Sequence, residues 1–128
     1  MYVTQSGAGN ASGTSWTNAL SGTLLAGRVA TSSAGTQFWV AAGVYKPTTT
    51  TDRTASFSIA SGVFVYGGFS GTEATYTDRV AGENETIFSG DINIAGEASD
   101  NSLTVINVTN PSQPIILDGI TIRDGYNT

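Results

Sequence analysis

The chain repeats one pattern, a short apolar segment rich in β-branched or aromatic residues that ends in glycine, asparagine or aspartate. The centres of these segments recur at roughly 15–25 residues, and they lie at Val40, Val65, Ile87, Val105 and Ile120. β-branched and aromatic residues favour strands, and glycine, asparagine and aspartate favour turns. This spacing is typical of solenoid proteins, in which every repeat adds a short strand to a parallel sheet.

A β-sandwich also has regularly spaced strands, but it needs tight hairpin turns. The clear hairpin signals in this sequence are Asp118-Gly119 and Asp124-Gly125. Both lie in ILDGITIRDG, where they separate short strands, and glycine at such corners tolerates a positive φ angle. The pattern therefore favours a solenoid over a sandwich.

The N-terminal part, residues 1–36, differs from the strand-rich part, residues 37–128. It starts with a short strand and a glycine-rich loop. Apolar residues from Ala19 to Ala30 then recur near i, i+4 spacing, which predicts a helix. We expect this helix to cap one end of the solenoid and to bury Trp16 and Leu24.

The stretch VFVYGGFSGTE, residues 63–73, places three glycines around a single aromatic residue and adds a lone carboxylate. We expect the glycines to turn the chain at a strand end and to let neighbouring backbones approach closely. The carboxylate of Glu73 is expected to accept hydrogen bonds from backbone N–H groups of its own loop. The structural motif that the sequence indicates consists of Trp16, Trp39, Gly67, Gly68, Phe69, Gly71 and Glu73.

Four segments occur in order along the chain: GTSWTNA, FWVAAGVYKP, VFVYGGFSGTE and IILDGITIRDG. This succession resembles the N-terminal portion of pectin-lyase-like proteins of bacterial cell surfaces. The resemblance implies an all-β solenoid, namely a right-handed parallel β-helix with a short N-terminal capping helix. It also implies that residues 1–128 form a single domain that belongs to a longer solenoid, and that the protein is extracellular or attached to the cell surface. It implies an architecture rather than an activity.

Composition excludes several classes of function. The chain has five Lys and Arg residues against ten Asp and Glu, a formal net charge of −5. Nothing in it can neutralise a run of phosphates, so we expect no nucleic acid and no anionic membrane as a partner. Cysteine and histidine are absent, which removes disulfides, thiolate nucleophiles and imidazole bases. No apolar run approaches the length of a membrane span.

The loop DINIAGEASDN carries the candidate metal ligands. Asp91, Glu97, Asp100 and Asn101 could offer several hard oxygen atoms to calcium. Their spacing matches neither an EF-hand nor the glycine- and aspartate-rich nonapeptide repeats. A solvated acidic loop with Asx turns is therefore the favoured interpretation, and we expect no cofactor other than this possible calcium ion.

A complete catalytic constellation is not evident. Lysis of an acidic polysaccharide needs a base beside clustered carboxylates, and among the basic residues Arg123 alone is placed as a groove residue would be. A glycosidase needs two carboxylates about 5–10 Å apart. Asp118 and Asp124 come from one repeat, and no carboxylate of another repeat is predicted to stack on them. Aromatic side chains could stack on sugars, although packing is the favoured interpretation for the two tryptophans. These aromatic candidates are Trp16, Trp39, Tyr45, Tyr66 and Tyr76.

We therefore expect a non-catalytic structural or adhesive module of a secreted bacterial protein, with a polysaccharide or cell-surface ligand. The alternatives are the N-terminal part of a lyase or glycosidase that degrades polysaccharides, and a carbohydrate-binding module. The last apolar segment, Ile115–Ile122, is followed by no polar cap. We therefore also expect end-to-end self-association through this segment.

Overall fold

The computed structural model describes residues 1–80 and 82–127. These residues form a small α/β domain with three sheets and 15% helix. One α-helix, α1, spans Leu25–Thr31, and 3₁₀ turns span Trp16–Asn18, Gly22–Leu24, Tyr76–Asp78 and Ala98–Asp100. The strands are β1 (Tyr2–Thr4), β2 (Leu20–Ser21), β3 (Gln37–Ala41), β4 (Gly43–Tyr45), β5 (Phe57–Ser58), β6 (Phe64–Phe69), β7 (Thr86–Ser89), β8 (Ile106–Asn107), β9 (Ile116–Asp118) and β10 (Ile120–Arg123).

The strands that pair among the described residues all pair in parallel. A five-stranded sheet has the order β2-β1-β3-β6-β9, a three-stranded sheet has the order β10-β7-β4, and a two-stranded sheet pairs β5 with β8. Parallel neighbours require crossover connections. The connection from β2 to β3 carries α1, and the others are loops and 3₁₀ turns.

The prediction of an all-β solenoid, a right-handed parallel β-helix, is wrong. The sheets contain five, three and two strands, and they do not close into a solenoid. The reason lies in the spacing on which the prediction rested. A crossover between parallel strands takes about a dozen residues or more, so apolar strands in an open parallel sheet recur at intervals that a solenoid also produces.

The predicted helix over Ala19–Ala30 is correct only in its second half. Leu20 lies in β2 and pairs with β1, and the α-helix begins at Leu25. Gly22 explains the late start, because a Cβ atom at this position would lie 2.7 Å from the ring of Tyr45. The backbone there is held against a core side chain, and a 3₁₀ turn connects it to the helix.

The predicted burial of Trp16 and Leu24 is not what the structure shows. Leu24 is 48% exposed, because α1 turns Leu25 and Val29 towards the core instead. Trp16 is half-buried, and its indole Nε1 donates a hydrogen bond to the backbone C=O of Glu73 at 2.9 Å. Trp16 therefore ties the N-terminal part to the glycine-rich loop rather than filling the core.

A single apolar core lies between the sheets. In β6, Val65 faces it, and Phe64 and Tyr66 point to the opposite face, because side chains alternate along a strand. The rings of Phe57 and Phe88 stack at 4.5 Å and connect the two-stranded sheet to the three-stranded sheet. Among the described residues, no helix has the length and hydrophobicity to span a bilayer. The buried core consists of Val3, Leu20, Leu25, Val29, Phe38, Val40, Tyr45, Phe57, Ile59, Val63, Val65, Phe88 and Val105.

Candidate functional site

The carboxylate of Glu73 organises the loop that follows β6. Its side chain is 9% exposed. Oε2 accepts from the backbone N–H of Ser70 at 2.6 Å, and Oε1 accepts from Gly71 and Thr72 at 3.0 and 2.9 Å. These are the backbone hydrogen bonds that the sequence predicted for Glu73. Burial alone would raise the pKa of this carboxyl, but the N–H donors outweigh it and lower the pKa.

We expect Glu73→Gln to lower the free energy of unfolding by about 1–2 kcal/mol near neutral pH, because the amide cannot accept all of these bonds. The pKa of Glu73 is lower in the folded state than its ordinary value of 4.5. This difference stabilises the folded state, and the stabilisation is complete above the ordinary pKa. This stability is lost as the pH falls through the folded value. Urea unfolding at several pH values should therefore show the two proteins converging in acid. Glu85→Gln, at an exposed carboxylate, is the control, and a pH-independent gap would contradict the prediction.

Most of the aromatic candidates gather on the outer face of the five-stranded sheet, in an aromatic layer of Tyr2, Trp16, Trp39, Tyr66, Phe69 and Tyr76. The ring of Trp39 stacks on Phe69 with centroids 4.9 Å apart and planes 9° apart. Tyr45 lies apart in the core, where its hydroxyl donates to the C=O of Ala41 at 2.8 Å. The ring face of Trp39 is thus occupied from within the chain, which makes it a poor platform for a sugar.

Arg79 closes the other end of the aromatic layer. Its guanidinium lies 4.4 Å from the ring centroid of Tyr76, donates to the C=O of Gly67 at 2.8 Å and pairs with Asp118 at 3.0 Å. A cation over the ring face stabilises the layer. The sequence offered no signal for Arg79, because Gly67 and Asp118, which complete its set of partners beside Tyr76, lie farther along the chain. The aromatic layer is therefore a packed structural unit.

The two acidic residues of the last strands each have partners within the chain. Asp118 pairs with Arg79. Asp124 Oδ2 accepts from the hydroxyl of Ser89 at 2.6 Å and from Arg123 Nε at 3.2 Å. Neither carboxylate is presented as a free acid or base.

Two of the calcium candidates fold their own loop. Both carboxylate oxygens of Asp91 accept from the N–H of Gly96 at 3.1 Å. Asp100 Oδ2 accepts from the N–H of Ile94 at 3.0 Å and from Asn93 Nδ2 at 3.1 Å. These bonds span five to seven residues, so they hold the loop together but are not Asx turns, in which the side chain bonds the N–H two residues on.

The other two candidates are Glu97 and Asn101. Glu97 Oε1 accepts from the N–H and hydroxyl of Ser99 at 3.2 and 2.7 Å. Asp100 Oδ1, Asn101 Oδ1 and Ser102 Oγ are buried without a hydrogen-bond partner. Each buried polar atom without a partner lowers the free energy of unfolding by about 1–3 kcal/mol unless it binds water or a cation. In residues 1–80 and 82–127 no group of three or more acidic side chains could hold a metal ion. Calcium binding therefore stays a prediction.

A groove of about 700 Å³ lies at the carboxyl ends of β4, β7 and β10. These strands are parallel neighbours in one sheet, so their ends meet at one edge. Tyr45 ends β4 and forms part of the wall, and Lys46 follows it. Ser89 and Arg123 end the other two strands, and Asp91 lies just beyond β7. Sequence reasoning singled out Arg123 and Asp91 but missed Lys46.

The cations of this groove differ in their contacts from Arg53 and Arg79, which are half-buried. Arg53 and Arg79 both donate to backbone carbonyls, Arg53 to that of Asn101 at 2.8 Å. Lys46 is exposed and forms no hydrogen bond or ion pair within the part of the chain that the structure describes. Arg123 uses Nε for Asp124, which leaves the other donors of its guanidinium. Two of the five basic residues are therefore available in the groove.

Comparisons with protein-family models, curated proteins and solved structures find no match to this chain. These comparisons therefore carry no activity over to this chain.

Proposed function

We propose that the chain is a non-catalytic adhesive module that binds an acidic oligosaccharide in the groove at the ends of β4, β7 and β10. The observation that carries this proposal is the lining of the groove, which combines hydroxyl and amide groups with two available cations. The volume of about 700 Å³ lies within the usual range of ligand sites, about 300–1,000 Å³.

The uncharged lining suits a sugar. Hydroxyl groups come from Thr23, Thr48, Thr49 and Ser89, and amide groups come from Gln5 and Asn93. Such groups both donate and accept, as sugar hydroxyls do. Val44 and Ile92 add apolar surface, against which the C–H faces of a sugar ring can pack.

The charges favour an acidic sugar over a neutral one. Lys46 and Arg123 line the groove together with one carboxylate, Asp91, and Asp124 pairs with Nε of Arg123 beside it, so Lys46 carries the unpaired positive charge. The rest of the chain is acidic, with a formal net charge of −5 overall. An anionic ligand is therefore repelled elsewhere and attracted here. Acidic polysaccharides occur at cell surfaces, so we also propose that the protein is extracellular or attached to a cell surface.

The test is titration calorimetry of the purified chain with oligogalacturonate and with a neutral oligosaccharide of the same length. We expect the acidic ligand to bind more tightly and its affinity to fall with added salt. Lys46→Ala and Arg123→Ala should each weaken binding about tenfold, as the loss of a charge-assisted hydrogen bond does. Arg28→Ala removes the same charge at an exposed helix position outside the groove, and it should change nothing.

Equal affinity for the acidic and neutral ligands, or no loss in either groove variant, would contradict the proposal. Release of unsaturated or reducing ends from the ligand would instead favour the polysaccharide-degrading enzyme that the sequence left as an alternative.

A further inference from the structure

Three polar residues of the groove lie in one row across the three-stranded sheet. Tyr45 of β4 is in register with Phe88 of β7. The next residue of β7, Ser89, is in register with Arg123 of β10. Lys46 follows Tyr45 directly, so the row consists of Lys46, Ser89 and Arg123. Neighbouring strands are about 4.8 Å apart, which separates the backbones of the two cations by roughly 10 Å.

The groove continues beyond this row to strands of the five-stranded sheet. Gln5 follows the end of β1, and Gly22 follows the end of β2, which pairs with β1. Oε1 of Gln5 accepts from the N–H of Val44 in β4 at 3.2 Å. The N–H of Gly22 donates to the C=O of Gln5, also at 3.2 Å. The groove therefore crosses the strands in the order β2, β1, β4, β7 and β10.

The groove differs in charge along its length. The charged residues of the described lining lie at the ends of β4, β7 and β10, and they are Lys46, Asp91 and Arg123. The part at β1 and β2 is lined by the uncharged residues Gln5, Gly22 and Thr23. We call these two parts the charged end and the uncharged end.

The charged end has as many carboxylates as cations. Oγ of Ser89 donates to Asp124 Oδ2 at 2.6 Å and accepts from the N–H of Asp91 at 3.1 Å. Asp124 and Asp91 are thereby fixed beside Lys46 and Arg123, and their charges balance those of the two cations. The groove consequently has no surplus of positive charge with which to hold a run of anionic groups. A single anionic group can still bind the Lys46 ammonium and the remaining donors of the Arg123 guanidinium.

The uncharged end suits a neutral sugar. The N–H of Val44 fixes Oε1 of Gln5, which leaves Nε2 to donate to a sugar hydroxyl. Thr23 is exposed, and its hydroxyl can both donate and accept. A carboxylate bound here would lose water without meeting a cation. The formal net charge of −5 would also repel it.

We propose that the ligand places a single acidic sugar at the charged end and neutral sugars at the uncharged end. This inference rests on the proposed function, and it narrows the ligand from acidic oligosaccharides in general to those of mixed composition. The carboxylate of the acidic sugar binds Lys46 and Arg123, and hydroxyl groups of the neutral sugars bind Gln5 and Thr23. The difference in charge along the groove also sets the direction in which the oligosaccharide lies.

Methyl esterification of tetragalacturonate tests this inference, because it removes carboxylate charges and keeps the sugar backbone. Titration calorimetry of the purified chain compares tetramers with every carboxylate free, with one free carboxylate at either end, and with none free. We expect the better of the two singly charged tetramers to bind at least as tightly as the fully charged tetramer. The fully esterified tetramer should bind most weakly.

A cation added at the uncharged end should change this order. Thr23→Lys places an ammonium group there, and we expect it to raise the affinity for the fully charged tetramer about fivefold. The affinity for the better singly charged tetramer should stay within about twofold of the parent value. Thr31→Lys adds the same charge at an exposed position outside the groove, and it should change neither affinity.

Tighter binding of the fully charged tetramer than of either singly charged one would overturn the inference. So would a Thr23→Lys protein without the gain, or an equal gain from Thr31→Lys. Each of these results would leave the preference for acidic over neutral ligands intact. Equal binding of the charged and the fully esterified tetramers would instead contradict the proposed function itself, and the inference with it.

Discussion

Gly67→Ala should destabilise the protein by about 3 kcal/mol, the upper part of the range for overpacked sites. A Cβ atom at Gly67 would lie 2.5 Å from the backbone oxygen of Gly119, and 2.8 Å from both Thr86 Cβ and Ile120 Cγ2. Gly67 has no positive φ angle, so the cost is steric. The closest of these atoms is backbone, and Thr86 is buried in β7 with its hydroxyl bonded to the C=O of Val40 at 3.1 Å. None of them can move aside cheaply.

Gly27→Ala is the matched control for this change. Gly27 lies in α1, and a Cβ atom there would meet nothing within 4 Å. Alanine is the better helix former by about 1 kcal/mol, so this variant should be as stable as the parent or more stable. Urea unfolding of both variants gives the comparison. A Gly67→Ala protein with the midpoint of the parent would show that the five-stranded and three-stranded sheets do not approach as closely at Gly67 as the structure has them.

The strands of this fold were largely predictable from sequence, because β-branched apolar residues favour strands and the glycines that bound these segments favour turns. The break at Gly43 between β3 and β4 falls where FWVAAGVY is interrupted. The number of strands in each sheet was not predictable. The spacing of the strands along the chain reflects the length of the crossover connections. It does not show whether successive strands belong to one sheet or to different sheets.

The orientation of Phe69 shows another limit of strand alternation. The pairing of β3 with β6 shifts between Trp39 and Ala41, so that Tyr66 and Phe69 become the neighbours of these two residues. Such an irregularity changes the direction of the side chains that follow. Phe69 is fully buried, but it stacks with Trp39 and lies outside the apolar cluster of Val65, which simple alternation from Val65 would have it join.

The groove could be predicted only in part. Its charged residues come from three separate segments, after β4, after β7 and at the end of β10. They meet because the order of strands in the sheet is β10-β7-β4. Arg123 was recognisable as the basic residue at the end of a strand. Lys46 was not recognisable, because nothing in the sequence around it shows which other strand ends beside it.

The largest loss of stability is expected in the core, for Phe88→Ala. Phe88 is fully buried, its ring stacks on Phe57 at 4.5 Å, and it contacts Tyr45 edge-on with the centroids 6.0 Å apart. Removal of a buried phenylalanine ring costs about 3–5 kcal/mol. Domains of this kind have about 5–15 kcal/mol in total, so the variant should retain a much smaller margin of stability.

Phe64→Ala removes the same ring from the half-buried outer face of β6, and it is the control for Phe88→Ala. We expect a clearly smaller loss there, because part of the ring is already in water and the cavity left behind is open to solvent. Denaturant unfolding of the two variants beside the parent measures the difference. Phe88 links strands of two different sheets, so its loss should also speed hydrogen exchange in both β5 and β7. Equal losses for the two phenylalanines would mean that Phe88 does not connect the two sheets through one shared core.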